Sequence, residues 1–153
     1  MSANEPAPAF IHQPDPDNPD WLIWQLSDPT RFNATLGKLV VRLEPDGQAR
    51  VRMFPRHQHS NLANNVHGGV TLAFIDVALF AASRMFGLIE AASAVTLDLS
   101  TQFIGAGRVD EPLDATVELL RETGRLLFLR GLVVQGDDRI ASFSGTLRKS
   151  VRR

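Results

Sequence analysis

The residues best suited to chemistry lie between Asn61 and Asp76, in the stretch NLANNVHGGVTLAFID. A polar loop holding Asn61, Asn64, Asn65 and His67 runs into two glycines, Gly68 and Gly69. An apolar run follows, and its single carboxylate is Asp76. A helix starting at the glycines would present unpaired N–H groups and positive potential at its first turn. Glycine lets another molecule approach that backbone closely. An acid inside an apolar helix is costly to keep charged, so a local task is expected of Asp76. Two plainer readings stay open at this level. The glycines could serve only a tight turn with close helix packing, and Asp76 could be a structural carboxylate satisfied by neighbouring donors.

The elements that must position these residues follow from periodicity. Residues 68–86 are rich in Ala, Leu and Phe and free of proline, which predicts a helix. Apolar residues lie nearly all round it, so it should be buried on most sides, with Gly87 as its stop. Ahead of it, KLVVRLE (38–44) and QARVRMF (48–54) alternate with period two, joined by an Asp46-Gly47 turn. Behind it come four strand-like runs: AVTLDLSTQFI (94–104), LDATVELL (113–120), RLLFLRGLVV (125–134) and RIASFSGTLR (139–148). The third is apolar on both faces and reads as a central strand. Hairpin-length links imply antiparallel pairing. One curved sheet around one apolar helix satisfies these constraints, an α+β arrangement whose free edges favour a partner subunit. Before this body, five prolines in residues 1–20 predict an extended arm. DWLIWQLS (20–27) could form a short helix capped by Asp20, with Trp21, Leu22 and Trp24 docking it.

Composition excludes several classes. The chain has 153 residues, 44% of them hydrophobic, and a net charge of −1, which suits one globular domain and argues against nucleic acid or a membrane surface as partner. There is no cysteine, so thiolate chemistry is absent. No G-x-S-x-G elbow occurs, and Gly105-Ala106-Gly107 lacks the spacing of a dinucleotide loop. His57 and His59 have no third ligand at suitable spacing, so no metal site is expected. Residues 1–20 lack a signal-peptide pattern, so a cytoplasmic protein is the expectation. Arg148, Lys149, Arg152 and Arg153 form a basic end that is either a solvated tail or a small anion site.

Asn61 six residues before the His-Gly-Gly triplet, Asp76 nine after its His, and the strand TLDLSTQF behind the helix together resemble hotdog-fold thioesterases of the phenylacetate-degradation (PaaI-like) type. The Thr123-Gly124-Arg125 turn and Ser144-Gly145-Thr146 extend the resemblance over roughly residues 35 to 148. One departure is Asn64, where such proteins often carry glycine; a positive φ would tolerate Asn there.

The resemblance implies a hotdog fold and hydrolysis of acyl-CoA, with no cofactor and no metal. By position, Asp76 would be nucleophile or general base, and the Gly68 amide would polarise the thioester carbonyl. Asn61 would place the attacking water or the acyl group, Thr96 would orient the water, and His67 would shape the turn or contact the thioester. Gly69 and Arg125 would touch substrate, Arg125 through CoA phosphates. The implied layout is a flexible Pro-rich arm over 1–20, a docking helix and linker over 21–34, the hotdog domain over 35–148 and a basic tail over 149–153. Two other functions fit the same scaffold: a non-catalytic binder of acyl-CoA or aromatic ligands, and an enoyl-CoA hydratase or dehydratase. Phe74, Phe80 and Phe86 could line an acyl pocket or fill core, so the acyl group is not legible.

Helix arithmetic adds one inference. Asp76 lies eight residues after Gly68, roughly 12 Å along a helix at 1.5 Å per residue. A carbonyl must sit about 3 Å from its donor, with the base or its water about as close. If both groups act, they come from different subunits. A homodimer with shared sites follows, in agreement with the resemblance; further assembly as a dimer of dimers is expected from the hotdog-thioesterase reading.

Overall fold

The computed structural model describes residues 10–90 and 94–150. After short strands β1 (Phe10–Ile11), β2 (Leu22–Ile23) and β3 (Gln25–Leu26), a 3-10 helix covers Phe32–Leu36. Strands β4 (Leu39–Leu43) and β5 (Ala49–Met53) form the hairpin expected around Asp46-Gly47. A 3-10 turn at His57–His59 leads through the loop to helix α1 (Gly68–Met85). Strands β6 (Ala94–Phe103), β7 (Leu113–Glu122), β8 (Leu126–Gln135) and β9 (Asp138–Lys149) complete the chain.

The main sheet has seven strands in the order β2-β4-β5-β7-β8-β9-β6, every neighbouring pair antiparallel. The apolar alternation puts Leu39, Val41, Val51, Met53, Ala115, Val117, Leu127, Leu129, Phe143 and Leu147 into one core with Phe74, Ile75, Ala78 and Leu79 of α1. Strand β8 lies inside the sheet, as its two apolar faces require. By length and composition α1 could cross a membrane. Its apolarity is used instead against the sheet, which it contacts at β4, β5, β6, β7 and β9. Gly145 permits the closest approach: a Cβ there would stand 2.5 Å from Leu79 Cδ1.

The segment before β4 differs from expectation. Residues 20–27 are not a helix but two strands, and Asp20 caps nothing. The open edge of β4 offers backbone groups that β2 satisfies through Leu22↔Val41 and Ile23↔Val40. Both Trp rings are buried in the extended form. Trp24 meets the Phe10 ring at 4.8 Å, and Trp21 lies beneath the Arg42 and Arg52 guanidiniums at 4.2 and 4.7 Å. The extended arm is docked rather than loose from residue 10 onward. β1 pairs with β3, and Asp15 is buried, accepting from Lys38 Nζ at 2.8 Å. Residues 1–9 of the expected arm lie outside the described residues. The sheet therefore begins at Leu22, ahead of residue 35, and ends at Lys149, which pairs with Ala94. Residues 151–153 of the basic tail are outside the described residues.

Candidate active site

The loop from Asn61 to Asn65 is built by its own polar groups. Asn61 Oδ1 accepts from the Ala63 and Asn65 amides at 2.9 and 3.1 Å, and its carbonyl accepts from Asn64 N–H at 3.0 Å. That tight turn needs a left-handed residue, and Asn64 adopts φ 60°. Asn tolerates this conformation better than other side chains with a Cβ, which explains the departure from glycine. Organising the loop leaves Asn61 Nδ2 without a partner among the described residues.

His67 ends the loop and caps α1. Its Nδ1 accepts from the Gly69 amide at 2.8 Å, and its carbonyl accepts from Val70 and Thr71. Accepting at Nδ1 places the ring proton of the neutral imidazole on Nε2. The Gly69 amide is consequently spent on the cap and offers a substrate no donor. A Cβ at Gly69 would crowd His67 Nδ1 at 3.1 Å, so the second glycine serves the cap. Gly68 is different. Its N–H has no acceptor among the described residues, it points from the first turn of an 18-residue helix, and the Phe103 ring stands 3.5 Å from where its Cβ would be. A lone N–H at a helix start beside an aromatic wall is a donor for an oxygen that gathers negative charge.

Asp76 is half-buried two turns further along, and Thr96 of β6 donates its hydroxyl to Asp76 Oδ1 at 2.7 Å. Thr96 therefore holds the carboxylate directly; its oxygen lone pairs remain free to accept from a water. Asp76 Oδ2 has no protein donor among the described residues. The fold thus makes two groups. Asn61, His67 and Gly68 cluster at the start of α1, and Asp76 with Thr96 sits at its middle.

Arg125 belongs to neither group. Its exposed turn between β7 and β8 is fixed by Lys149 N–H donating to the Arg125 carbonyl at 2.8 Å. Beside it, Gly124, Lys149 and Ser150 border a cleft of about 310 Å³ with Gly87 and Leu88, past the far end of α1 from Gly68. Phe74 is wholly buried in the core, while Phe80 and Phe86 are half-buried against it. Among the described residues no three His, Cys, Asp or Glu side chains stand together in a way that could hold a metal.

Two structural partners escaped the sequence. His59, 3% exposed, is a joint: Nδ1 accepts from Arg56 N–H at 3.0 Å, Nε2 lies 2.7 Å from the Thr35 carbonyl, and its own carbonyl accepts from His67 N–H at 2.8 Å. Its partner is a backbone carbonyl 24 residues away, which leaves no motif. Phe103 read only as one more apolar residue of β6.

A seven-stranded antiparallel sheet packed on one long helix, with an unpaired amide at the helix start, is the hotdog architecture. Residues 63–142, just over half of the chain, match the family model described as the thioesterase superfamily, and the chain belongs to that family. It is PaaI-like. Among solved structures it is similar to a mutant form of the phenylacetic acid degradation protein PaaI from Thermus thermophilus, with 28% identity, 80% of this chain and 99% of that one covered, and a TM-score of 0.65. PaaI from the E. coli phenylacetic acid degradation operon shares the fold at 22% identity, covering 77% and 83%, with a TM-score of 0.66. So does a hypothetical thioesterase solved with coenzyme A from Streptococcus pneumoniae, at 18% identity, covering 76% and 92%, with a TM-score of 0.66. No curated protein matches the sequence.

Proposed function

We propose that this member of the thioesterase superfamily hydrolyses acyl-CoA thioesters to the free acid and CoA, as a cytoplasmic homodimer with shared active sites, assembled further as a dimer of dimers. The observation that carries the reading is the unpaired Gly68 N–H at the start of α1. A thioester carbonyl bonded there develops its negative charge against a fixed donor and the positive end of the helix. Asp76 supplies the second half of the chemistry. Its Oδ1 is held by Thr96 and its Oδ2 is open, which suits attack on the carbonyl carbon or removal of a proton from water. Asn61 Nδ2 and His67 Nε2–H are the remaining donors at the loop and would steer the acyl group and sulfur.

The two groups are too far apart along α1 to serve one carbonyl, so each site takes Asn61, His67 and Gly68 from one chain and Asp76 with Thr96 from its mate. Strand β6 supports this arrangement. It is an edge of the sheet, carries Thr96, and exposes Val95 and Leu97 at 44% and 52%, as a strand does when a second copy covers it. Arg125 would bind CoA phosphates. Coenzyme A as the carrier is favoured by the neighbour that was solved with it. The hydratase reading loses ground because it asks His67 to act as a base, while the acceptor nitrogen of that ring is held by Gly69.

The experiment is thiol release from a panel of short, medium, long and aryl acyl-CoAs. Release of CoA with a burst-free or burst profile supports hydrolysis. Double-bond absorbance changes without thiol would replace it with hydration, and binding without turnover with a ligand carrier.

A further inference from the structure

The loop that leads to the Gly68 donor closes on itself at a neck. His67 N–H donates to the His59 carbonyl at 2.8 Å, Ser60 and Val66 form a β-bridge, and Asn61 N–H donates to the Asn65 carbonyl at 2.8 Å. Two anchors tie this neck to the body. On one side Val66 N–H donates to the Gly107 carbonyl at 2.8 Å. On the other the anchor is the His59 ring, which bonds Arg56 of its own turn and Thr35 of the 3-10 helix. Gly68 depends on such anchoring. From His67 to Thr71, every amide except that of Gly68 has an acceptor among the described residues. Its N–H keeps its aim only through the loop and cap around it, and a charge-stabilising donor works only when its aim is fixed beforehand.

The His59 ring can play this part in one protonation state. A backbone N–H only donates, so Nδ1 accepts from Arg56, and a carbonyl only accepts, so Nε2 donates to Thr35. That ring is neutral. A proton on Nδ1 would face the Arg56 N–H, break the 3.0 Å bond and leave a charge on a residue that is 3% exposed. Among the described residues no carboxylate bonds the ring. Its own turn offers Arg56 and His57, and neither the 3-10 helix Phe32–Leu36 nor the loop from Ser60 to Val66 carries a titratable side chain. Lys38, beyond the 3-10 helix, is held by Asp15 and Asp17. Arg108, with Glu111 and Asp138, lies on the far side of the loop against Asn65. His67 repeats the arrangement, since its Nδ1 accepts from Gly69 N–H and caps α1 only while neutral. In the proposed shared site the mate's Asp76 approaches Gly68 and His67, so the buried His59 is the cleaner of the two to test.

We infer that His59 is a positioning residue for the Gly68 donor and that it acts only as the neutral ring, so that acid loosens the donor by protonating the neck of the loop. Its effect on turnover rests on the thioesterase reading. The test uses the full chain as wild type, His59→Leu and His59→Asn. In wild type the amide NMR signals of Arg56 and Gly68 should move together in one step as pH falls. In His59→Asn, Oδ1 takes the place of Nδ1, accepts from Arg56 and binds no proton. That step should vanish, leaving Gly68 only the step it shares with Gly69, which reports His67. On acyl-CoA near neutral pH, His59→Leu should lower kcat about 10-fold with KM little changed. The loss is smaller than the roughly 10²–10³ that goes with an oxyanion donor itself, because the Gly107 anchor remains. His59→Asn should recover most of that loss and should lose less activity than wild type on acidification.

A wild-type Gly68 signal that ignores the Arg56 step overturns the inference. So does a folded His59→Leu with normal kcat, or a His59→Asn no more active than His59→Leu. Should His59→Leu fail to fold, the wild-type and His59→Asn spectra carry the decision. If the wild type hydrolyses no acyl-CoA, hydrolysis fails and the two amide signals decide the positioning alone: a shared step supports it, and independent behaviour overturns it.

Discussion

A shared site makes a quantitative prediction about mixed dimers. Gly68 and Asp76 lie eight residues apart on one continuous helix, so their backbones are roughly 12 Å apart along its axis. A reacting carbonyl needs each within about 3 Å, directly or through one water. Asn61→Ala damages the loop side of a site, and Asp76→Ala damages the carboxylate side. Each homodimer should be nearly inactive. In a mixed dimer one site combines the intact Asn61 of one chain with the intact Asp76 of the other, and the second site collects both lesions. Random pairing makes half the dimers mixed, each with one good site of two, so co-refolded protein should recover about a quarter of wild-type activity in a thiol-release assay. Each mutant refolded with itself is the control and should recover nothing. Native mass spectrometry reports whether chains have exchanged. Exchange without recovery would refute the shared site.

Other expectations follow from particular contacts. Arg125→Ala should raise KM for acyl-CoA, leave kcat near normal and flatten the salt dependence of KM, as loss of a phosphate contact does. Gly145→Ala should destabilise by about 1–3 kcal/mol in denaturant unfolding, because its Cβ would press on Leu79 at 2.5 Å. The Asp15–Lys38 pair sets the pH range of arm docking. Hydrogen bonding to Lys38 holds the Asp15 carboxyl below its ordinary 3.8, so its contribution is present above that value and lost as pH falls through the lowered one. The bond to Asp15 raises Lys38 above its ordinary 10.5, so its contribution is present below that value and lost only as pH rises past the raised one. Trp fluorescence from Trp21 and Trp24 should therefore hold steady between these limits, and Asp15→Asn should remove the acid-side transition.

The sheet and the central helix were legible because each element writes its burial into its own residues. Period two in 38–44, 48–54, 94–104 and 113–120, with the run at 125–134 apolar on both faces and a last run at 139–148, becomes β4 through β9, and a long apolar stretch becomes α1. Residues 20–27 misled because two-residue strands are too short to show a period, and their conformation is set by the β4 edge they pair with. Within the site, residue types and spacing picked out Gly68 and Asp76, and the Thr96 hydroxyl does reach Asp76. What spacing could not reveal is how hydrogen bonds divide the labour. Gly68 and Gly69 look alike in sequence, yet the His67 imidazole consumes one amide and leaves the other free. The joining role of His59, weighed in the sequence only as a metal ligand, was hidden for the same reason: its partners are backbone carbonyls and amides, which carry no residue identity.

The central claim is that Asp76 is the catalytic carboxylate opposite the Gly68 amide, and kcat for Asp76→Asn on the best acyl-CoA tests it most directly. The substitution keeps shape and the hydrogen-bonding site for Thr96, so the circular dichroism spectrum and Tm should stay close to wild type while kcat falls about 10²–10⁴-fold. A folded Asp76→Asn protein with near-normal kcat would contradict the claim and return Asp76 to the role of a carboxylate held by Thr96 for structure alone.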